Sequence, residues 1–238
     1  MNVEGVRMRT FLSALSATLV LSAPAAAATR NFGITDYTKV RVEGPYKVTL
    51  ATGVPPFARA SGSATALDRI EIETRGDTLV VRADPNAWGG YPGQDPGPVE
   101  VVIGTHDLTN AALTGAGSLA IDRVKGLSFA LSVQGSGAAE IDDVAADQME
   151  VNLAGTASAK LKGKALKLTA QVRGLSALDA ASLASPNAQI TANGSATVDA
   201  NATDTAQVEA SGPATIRFSG RPSCTVKVTG STSVSGCR

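Results

Sequence analysis

The chain has 238 residues, with 21 lysines and arginines against 21 aspartates and glutamates and a single histidine. A formal net charge of zero argues against a nucleic-acid binder and against a polybasic membrane-surface protein, which carry an excess of basic residues. Aromatics make up only 4% and apolar residues 43%, much of it alanine, which predicts a slim interior filled by small side chains.

Residues 1–28 read as a secretory signal. Arg7 and Arg9 carry positive charge, Phe11–Leu21 is an apolar run, and Ala25–Ala28 after Pro24 offers a small-residue cleavage site. The run is too short to span a membrane as a helix, and no later stretch could do so. Residues 29–238 are therefore expected as one mature domain outside the cytoplasm: periplasmic, on the cell surface or secreted. Loss of Arg7, Arg9 and Glu4 shifts the net charge to −1.

Residues 36–53, DYTKVRVEGPYKVTLATG, open a motif that recurs to the end of the chain. Its glycine is Gly44, and apolar Val40, Val42, Val48 and Leu50 stand four and two residues before it and four and six after it. Tyr46 takes a place that is small in later copies, so this rung is expected to be wider or to cap one end. Residues 57–82 continue with short strands whose inward set is expected to be Phe57, Ile70, Ile72, Leu79 and Val81. Arg75-Gly76-Asp77 reads as a turn between two of them, with integrin-type recognition of the triplet as the weaker alternative.

Residues 83–98, ADPNAWGGYPGQDPGP, interrupt the pattern with the densest Gly/Pro run in the chain. A loop is expected here. It holds the only tryptophan, Trp88, and also Tyr91, Asn86 and Asp95. These four are the candidate binding residues, because a loop on a rigid scaffold is a common carrier of binding. The alternative is that both rings fold back and cover the scaffold.

VEVVI resumes the pattern with Val99, Val101 and Ile103 inward. Glycines then follow at Gly115, Gly135, Gly155, Gly174, Gly194, Gly212 and Gly230, spaced 20, 20, 19, 20, 18 and 18 residues apart. Even offsets from each glycine are apolar or small and odd offsets mostly polar, a period of 2 and not of 3.6. A fixed period near 20 with strand alternation is the signature of a solenoid, in which each turn buries its face on the next. The expected fold is all-β: a single-domain parallel β-helix, right-handed by the crossover rule, with rungs of 18–20 residues. The second residue after each glycine is small, which suits a tight corner.

Catalytic and cofactor chemistry is thinly represented. His106 is the only histidine and no metal-ligand cluster or phosphate loop is visible, so neither cofactor nor metal is expected. The densest acidic spot, Asp142-Asp143 with Asp147, lacks the ligand spacing of a calcium loop. The fifth position after each glycine carries Glu140, Lys160, Asp179, Asp199 and Arg217. That row reads as cross-rung ion pairs or, alternatively, as the groove of a polysaccharide-active enzyme. Cys224 and Cys237, 13 residues apart, are expected to pair in an oxidising compartment.

The opening DYTKVRVEGPYKVTLATG, the following LDRIEIETRGDTLVVRAD, and LTGAGSLAI, VQGSGAAEI and their successors resemble the putative auto-transporter adhesin, head GIN domain family. The resemblance spans about residues 33–236. It implies a parallel β-helical fold in an exported bacterial protein and brings no catalytic residues. The function expected is a non-catalytic adhesion-type module of the envelope, partnered by a glycan or by an envelope or surface protein. The alternatives are the polysaccharide enzyme and a purely structural envelope protein.

Overall fold

The structure, a computed structural model, describes residues 28–87 and 97–238. Its first part comprises β1 (Ala28–Phe32), β2 (Lys39–Glu43), β3 (Lys47–Thr52), β4 (Phe57–Gly62), the single helical turn α1 (Ala64–Leu67), β5 (Ile70–Arg75), β6 (Thr78–Ala83), β7 (Glu100–Thr105) and β8 (Asn110–Gly115). Five long strands follow: β9 (Ser118–Gly135), β10 (Ala138–Gly155), β11 (Ser158–Gly174), β12 (Ala177–Asn193) and β13 (Thr197–Ser211). β14 (Thr215–Phe218), β15 (Ser223–Thr229) and β16 (Ser233–Ser235) end the chain.

All of these strands belong to one sheet wound into a parallel β-solenoid. From β8 onward each turn lies in register on the one before, with Ala138 on Ser118, Ser158 on Ala138 and Ala177 on Ser158. One face holds the strand segments that lead into each glycine, and the other those that leave it. The long strands cross between faces at a second bend, where the alternation breaks: Ile121, Val124 and Phe129 are all buried. Register shifts after Ile141, Lys160 and Ala180 mark the same bend in later turns.

The tight corner is set by glycine. Gly44 and the seven repeat glycines all have φ between +84° and +119°, a region that side-chain-bearing residues avoid. They also stack: a Cβ on Gly135 would lie 2.7 Å from the carbonyl oxygen of Gly115. Ser136, Thr156 and Leu175 donate their N–H to the carbonyls of Gly115, Gly135 and Gly155, so the corner column is hydrogen-bonded along the axis. Gly117 is small for a different reason, since a Cβ there would sit 2.5 Å from the Tyr46 carbonyl oxygen.

Stack order and chain order differ at the N-terminal end. β2 lies between β6 and β8, and β3 between β7 and β9. The β6–β7 turn, later in sequence, is thus inserted beneath the β2–β3 turn. β5 closes β6, and β4 closes β7, both antiparallel, and β1 adds antiparallel to β4. α1, capped by Ser63 Oγ accepting from the Ala66 N–H at 3.0 Å, packs over this end. The Tyr46 rung is therefore an interior turn and not the end cap. Its ring fits by folding back over the Gly44 corner, whose missing Cβ would stand 3.0 Å from Tyr46 Cε2.

The core runs the length of the axis as stacked rows, among them Leu113, Val133, Leu153 and Val172. Ile70, Ile72, Leu79 and Val81 are buried as expected, as are Val99, Val101 and Ile103. Phe57 is not: it is 38% exposed. The parity of β4 is set by Ala58 and Ala60, which point inward, and the Phe57 ring instead covers Gly104 from outside. Arg75-Gly76-Asp77 is the β5–β6 turn. Arg75 pairs with Glu73, and Asp77 pairs with Lys39 at 2.9 Å, so the triplet is bound into the scaffold.

Tyr37 is a fully buried ring at the N-terminal end of the core, and its hydroxyl has no hydrogen-bond partner among the described residues. Burial foremost, with the Asp36 carboxylate adding, pushes that phenol far above its ordinary range. Because the orphaned hydroxyl costs desolvation and returns nothing, Tyr37→Phe is expected to leave stability unchanged or raise it by up to about 1 kcal/mol in urea unfolding. Gly135→Ala should cost about 2 kcal/mol or more, since it combines a disallowed φ with a backbone clash. Gly33→Ala, where nothing lies within 4 Å, is the matched control and should be near neutral.

Candidate functional site

Every later turn passes the glycine corner in two or three residues, as Ala116-Gly117 do between β8 and β9. The β6–β7 turn alone passes it through residues 84–99. Both described ends of this connection lie at the corner column, one rung beyond Gly44, and residues 88–96 of the expected loop lie outside the described residues. Of the four predicted binding residues, Asn86 is described: it is exposed, and its N–H donates to Asp84 Oδ1 at 2.8 Å. Trp88, Tyr91 and Asp95 lie outside the described residues.

At the base of this opening is a hollow of about 600 Å³. Pro45 and Tyr46 wall it from the neighbouring corner, Ala66 and Arg69 from the α1 side, and Ala83, Gly97, Pro98 and Val99 from the two loop stems. Its walls are mainly apolar. Burial raises the Tyr46 phenol above its usual range. Arg69 makes no ion pair among the described residues, and its backbone carbonyl is used by the Asp84 N–H at 2.9 Å. The arrangement offers one guanidinium among ring and aliphatic surface. Tyr46 and Arg69 were not legible as site residues in the sequence. The only signal was Tyr46 standing in a small-residue row.

The charged row has a different character. Lys162 reaches Glu140 at 3.0 Å and Asp142 at 2.7 Å, and these partners, Asp142 first, hold its ammonium above the usual range. Arg217 grips Asp199 with two bonds of 2.6 and 2.9 Å, and its pKa is raised for that reason. Arg123 pairs with Asp143 at 3.0 Å. The Asp142-Asp143 spot is thus neutralised by cations on adjacent rungs. Among the described residues no group of three or more His, Cys, Asp or Glu side chains could hold a metal ion. His106 is exposed beside Asp36 at 3.5 Å.

Cys224 and Cys237 form the expected disulfide in the last turn, with their Cα atoms 5.7 Å apart. No described helix is long and apolar enough to cross a membrane.

The family model described as "Putative auto-transporter adhesin, head GIN domain" matches residues 36–222. The chain belongs to this family. Solved structures share the fold at low identity. A putative adhesin from Bacteroides fragilis is 15% identical with a TM-score of 0.77, covering 88% of this chain and 96% of that one. A putative lipid binding protein from Parabacteroides distasonis is 17% identical with a TM-score of 0.71, covering 87% and 95%. A putative adhesin from Parabacteroides merdae is 17% identical with a TM-score of 0.69, again covering 87% and 95%. No curated protein matches the sequence. The GIN-type family and two of these structural neighbours are named for adhesion, the third for lipid binding, and both family and disulfide fit an extracytoplasmic protein.

Reduction of the disulfide is expected to cost about 3 kcal/mol on the loop-entropy model. The loss should be local, because β15 and β16 contact only the turn beneath them. Hydrogen exchange should accelerate across residues 223–235 on reduction and stay slow in β9–β11. Equal acceleration throughout would show the turns to be one cooperative unit.

Proposed function

We propose that this chain is a non-catalytic adhesion-type module, exported to the bacterial envelope, that makes its contact at the opened corner of the β6–β7 turn. The observation that carries the reading is the coincidence of two departures from the repeat at one place. The β6–β7 connection takes up residues 84–99, and the hollow at its described stems presents Arg69, which has no acidic partner among the described residues. Elsewhere the corners are short, and in the charged row Lys160 pairs with Glu140 and Arg217 with Asp199 across rungs. A regular scaffold bearing one irregular loop is how rigid β folds commonly carry binding.

The chemistry of the hollow favours a glycan carrying an acidic group. The rings of Tyr46, Pro45 and Pro98 suit the apolar face of a sugar, and the Arg69 guanidinium suits its carboxylate or sulfate. Asn86 at one stem, with Trp88, Tyr91 and Asp95 within the loop, would extend that contact.

The test is binding of the purified chain to an array of acidic and neutral glycans, with envelope extracts and lipid vesicles as separate arms. Arg69→Ala should weaken capture of an acidic glycan at least about tenfold, as expected when a charge-assisted bond is removed. Trp88→Ala with Tyr91→Ala should weaken it further. Capture unchanged in both variants overturns the corner reading. Capture only of protein or only of vesicles would retain the site and change the ligand class. Release of reducing ends from an acidic polysaccharide would instead establish the enzyme alternative.

A further inference from the structure

The two ends of the solenoid are finished differently. At the N-terminal end the antiparallel strands β4 and β5 cover the interior, and Ile70 and Ile72 are buried. At the C-terminal end none of the described residues covers the last turn. Val226 and Val228 of β15 point toward the axis yet are 44% and 38% exposed, whereas Val208 and Ala210 one rung below are at 0% and 6%.

The backbone of β15 is unfinished on the same side. β15 pairs only with β13. The Thr229 carbonyl accepts from the Gly212 N–H, so it points back into the stack. In a parallel ladder the N–H and C=O of one residue point the same way and alternate along the strand. Ser223, Thr225 and Lys227 therefore face β13, and Cys224, Val226 and Val228 face outward with both groups. Pro222, next in that series, already accepts from the Arg238 N–H at 3.1 Å. Three residues, symmetric about Val226, remain at the open edge.

We propose that this edge is the interface of a closed dimer, formed by β15 pairing antiparallel with β15 of a second copy about a two-fold axis at Val226. An exposed edge strand is a template for another strand, and this one is complementary to itself. In that register Val226 meets Val226 of the second copy, and Cys224 meets Val228, so every open N–H and C=O of the three residues is used. The inward valines cover one another across the axis. Outward side chains then oppose Thr225 to Lys227 and Ser223 to Thr229, so no like charges meet. Lys227 keeps its own partner, Glu209, at 3.5 Å within each copy. Covering of the interior at the opposite end makes a two-fold pair, and not a growing filament, the expected assembly.

The register supplies its own test. Thr225 is exposed and outward, so changing its charge does not disturb the core. Sedimentation velocity of the chain should show a reversible dimer. Thr225→Lys, which would set like charges opposite one another, should weaken it at least about tenfold, and Thr225→Glu, which would face Lys227, should tighten it. Val226→Lys should abolish it while far-UV circular dichroism stays unchanged, and Leu166→Lys, on the side of the stack, should have no effect. A chain that remains monomeric to millimolar concentration overturns the proposal. So does a dimer indifferent to Thr225 and Val226, or one lost through Leu166→Lys. Glycan capture by the monomeric variants would be unaffected, which separates failure here from failure of the corner site.

Discussion

The column of glycines at the corner is the constraint on which the rest depends. A chain that must reverse from one face to the other in two or three residues, every 18–20 residues, needs a conformation with φ near +100°. It also needs successive corners close enough for the carbonyl of one to accept from the next. Both demands exclude a Cβ. Once the corners are aligned, strand register follows, and register places the even positions in one continuous apolar column. The small interior explains why alanine can fill a core that in most folds needs leucine and phenylalanine. With two thin faces closing directly on each other, large side chains have little room.

The same constraint explains where the molecule departs from regularity. The β6–β7 turn enters the stack late, beneath a turn that precedes it in sequence, and lies one rung from the antiparallel cap. Only one neighbouring corner presses on it, that of Gly44, so its connection is free to lengthen. Expansion of this corner is thus tolerated at the rung where the column ends. The hollow walled by Tyr46 and Arg69 is the space left where the glycine stacking stops.

Much of the solenoid was legible because its signals are local and repeated: the glycine period, the alternation, the small corner residues, and the two cysteines close together in sequence. What the sequence concealed depends on contacts between distant segments. The place of β6 and β7 under β2 and β3 could not be read from order along the chain, and so the Tyr46 rung was expected at an end it does not occupy. Phe57 misled because a phenylalanine outweighs its alanine neighbours in any hydropathy reading, while Ala58 and Ala60 set the parity through pairing with β7. Arg69 follows a short helical turn with no periodic signature, and its role at the hollow comes only from folding. The charged row was read with two meanings. Which rungs would pair was not legible, since Arg217 meets Asp199 18 residues away and Lys162, outside that row, meets Glu140 and Asp142 22 and 20 residues away.

The disulfide also defines a path for mechanical load. A pull applied at Arg238 reaches Cys237 first and passes through the sulfur bridge to Cys224. It then bypasses residues 225–236, the rest of β15 and all of β16, which lie inside the covalent loop. Tension would be delivered at the junction of the last turn with the stack, not to its free end. Peeling from the tip, the weakest mode for a parallel coil whose turns hold only their neighbours, is thereby denied its starting point. A tether at this end could transmit force into the body of the solenoid as a stretch across several rungs.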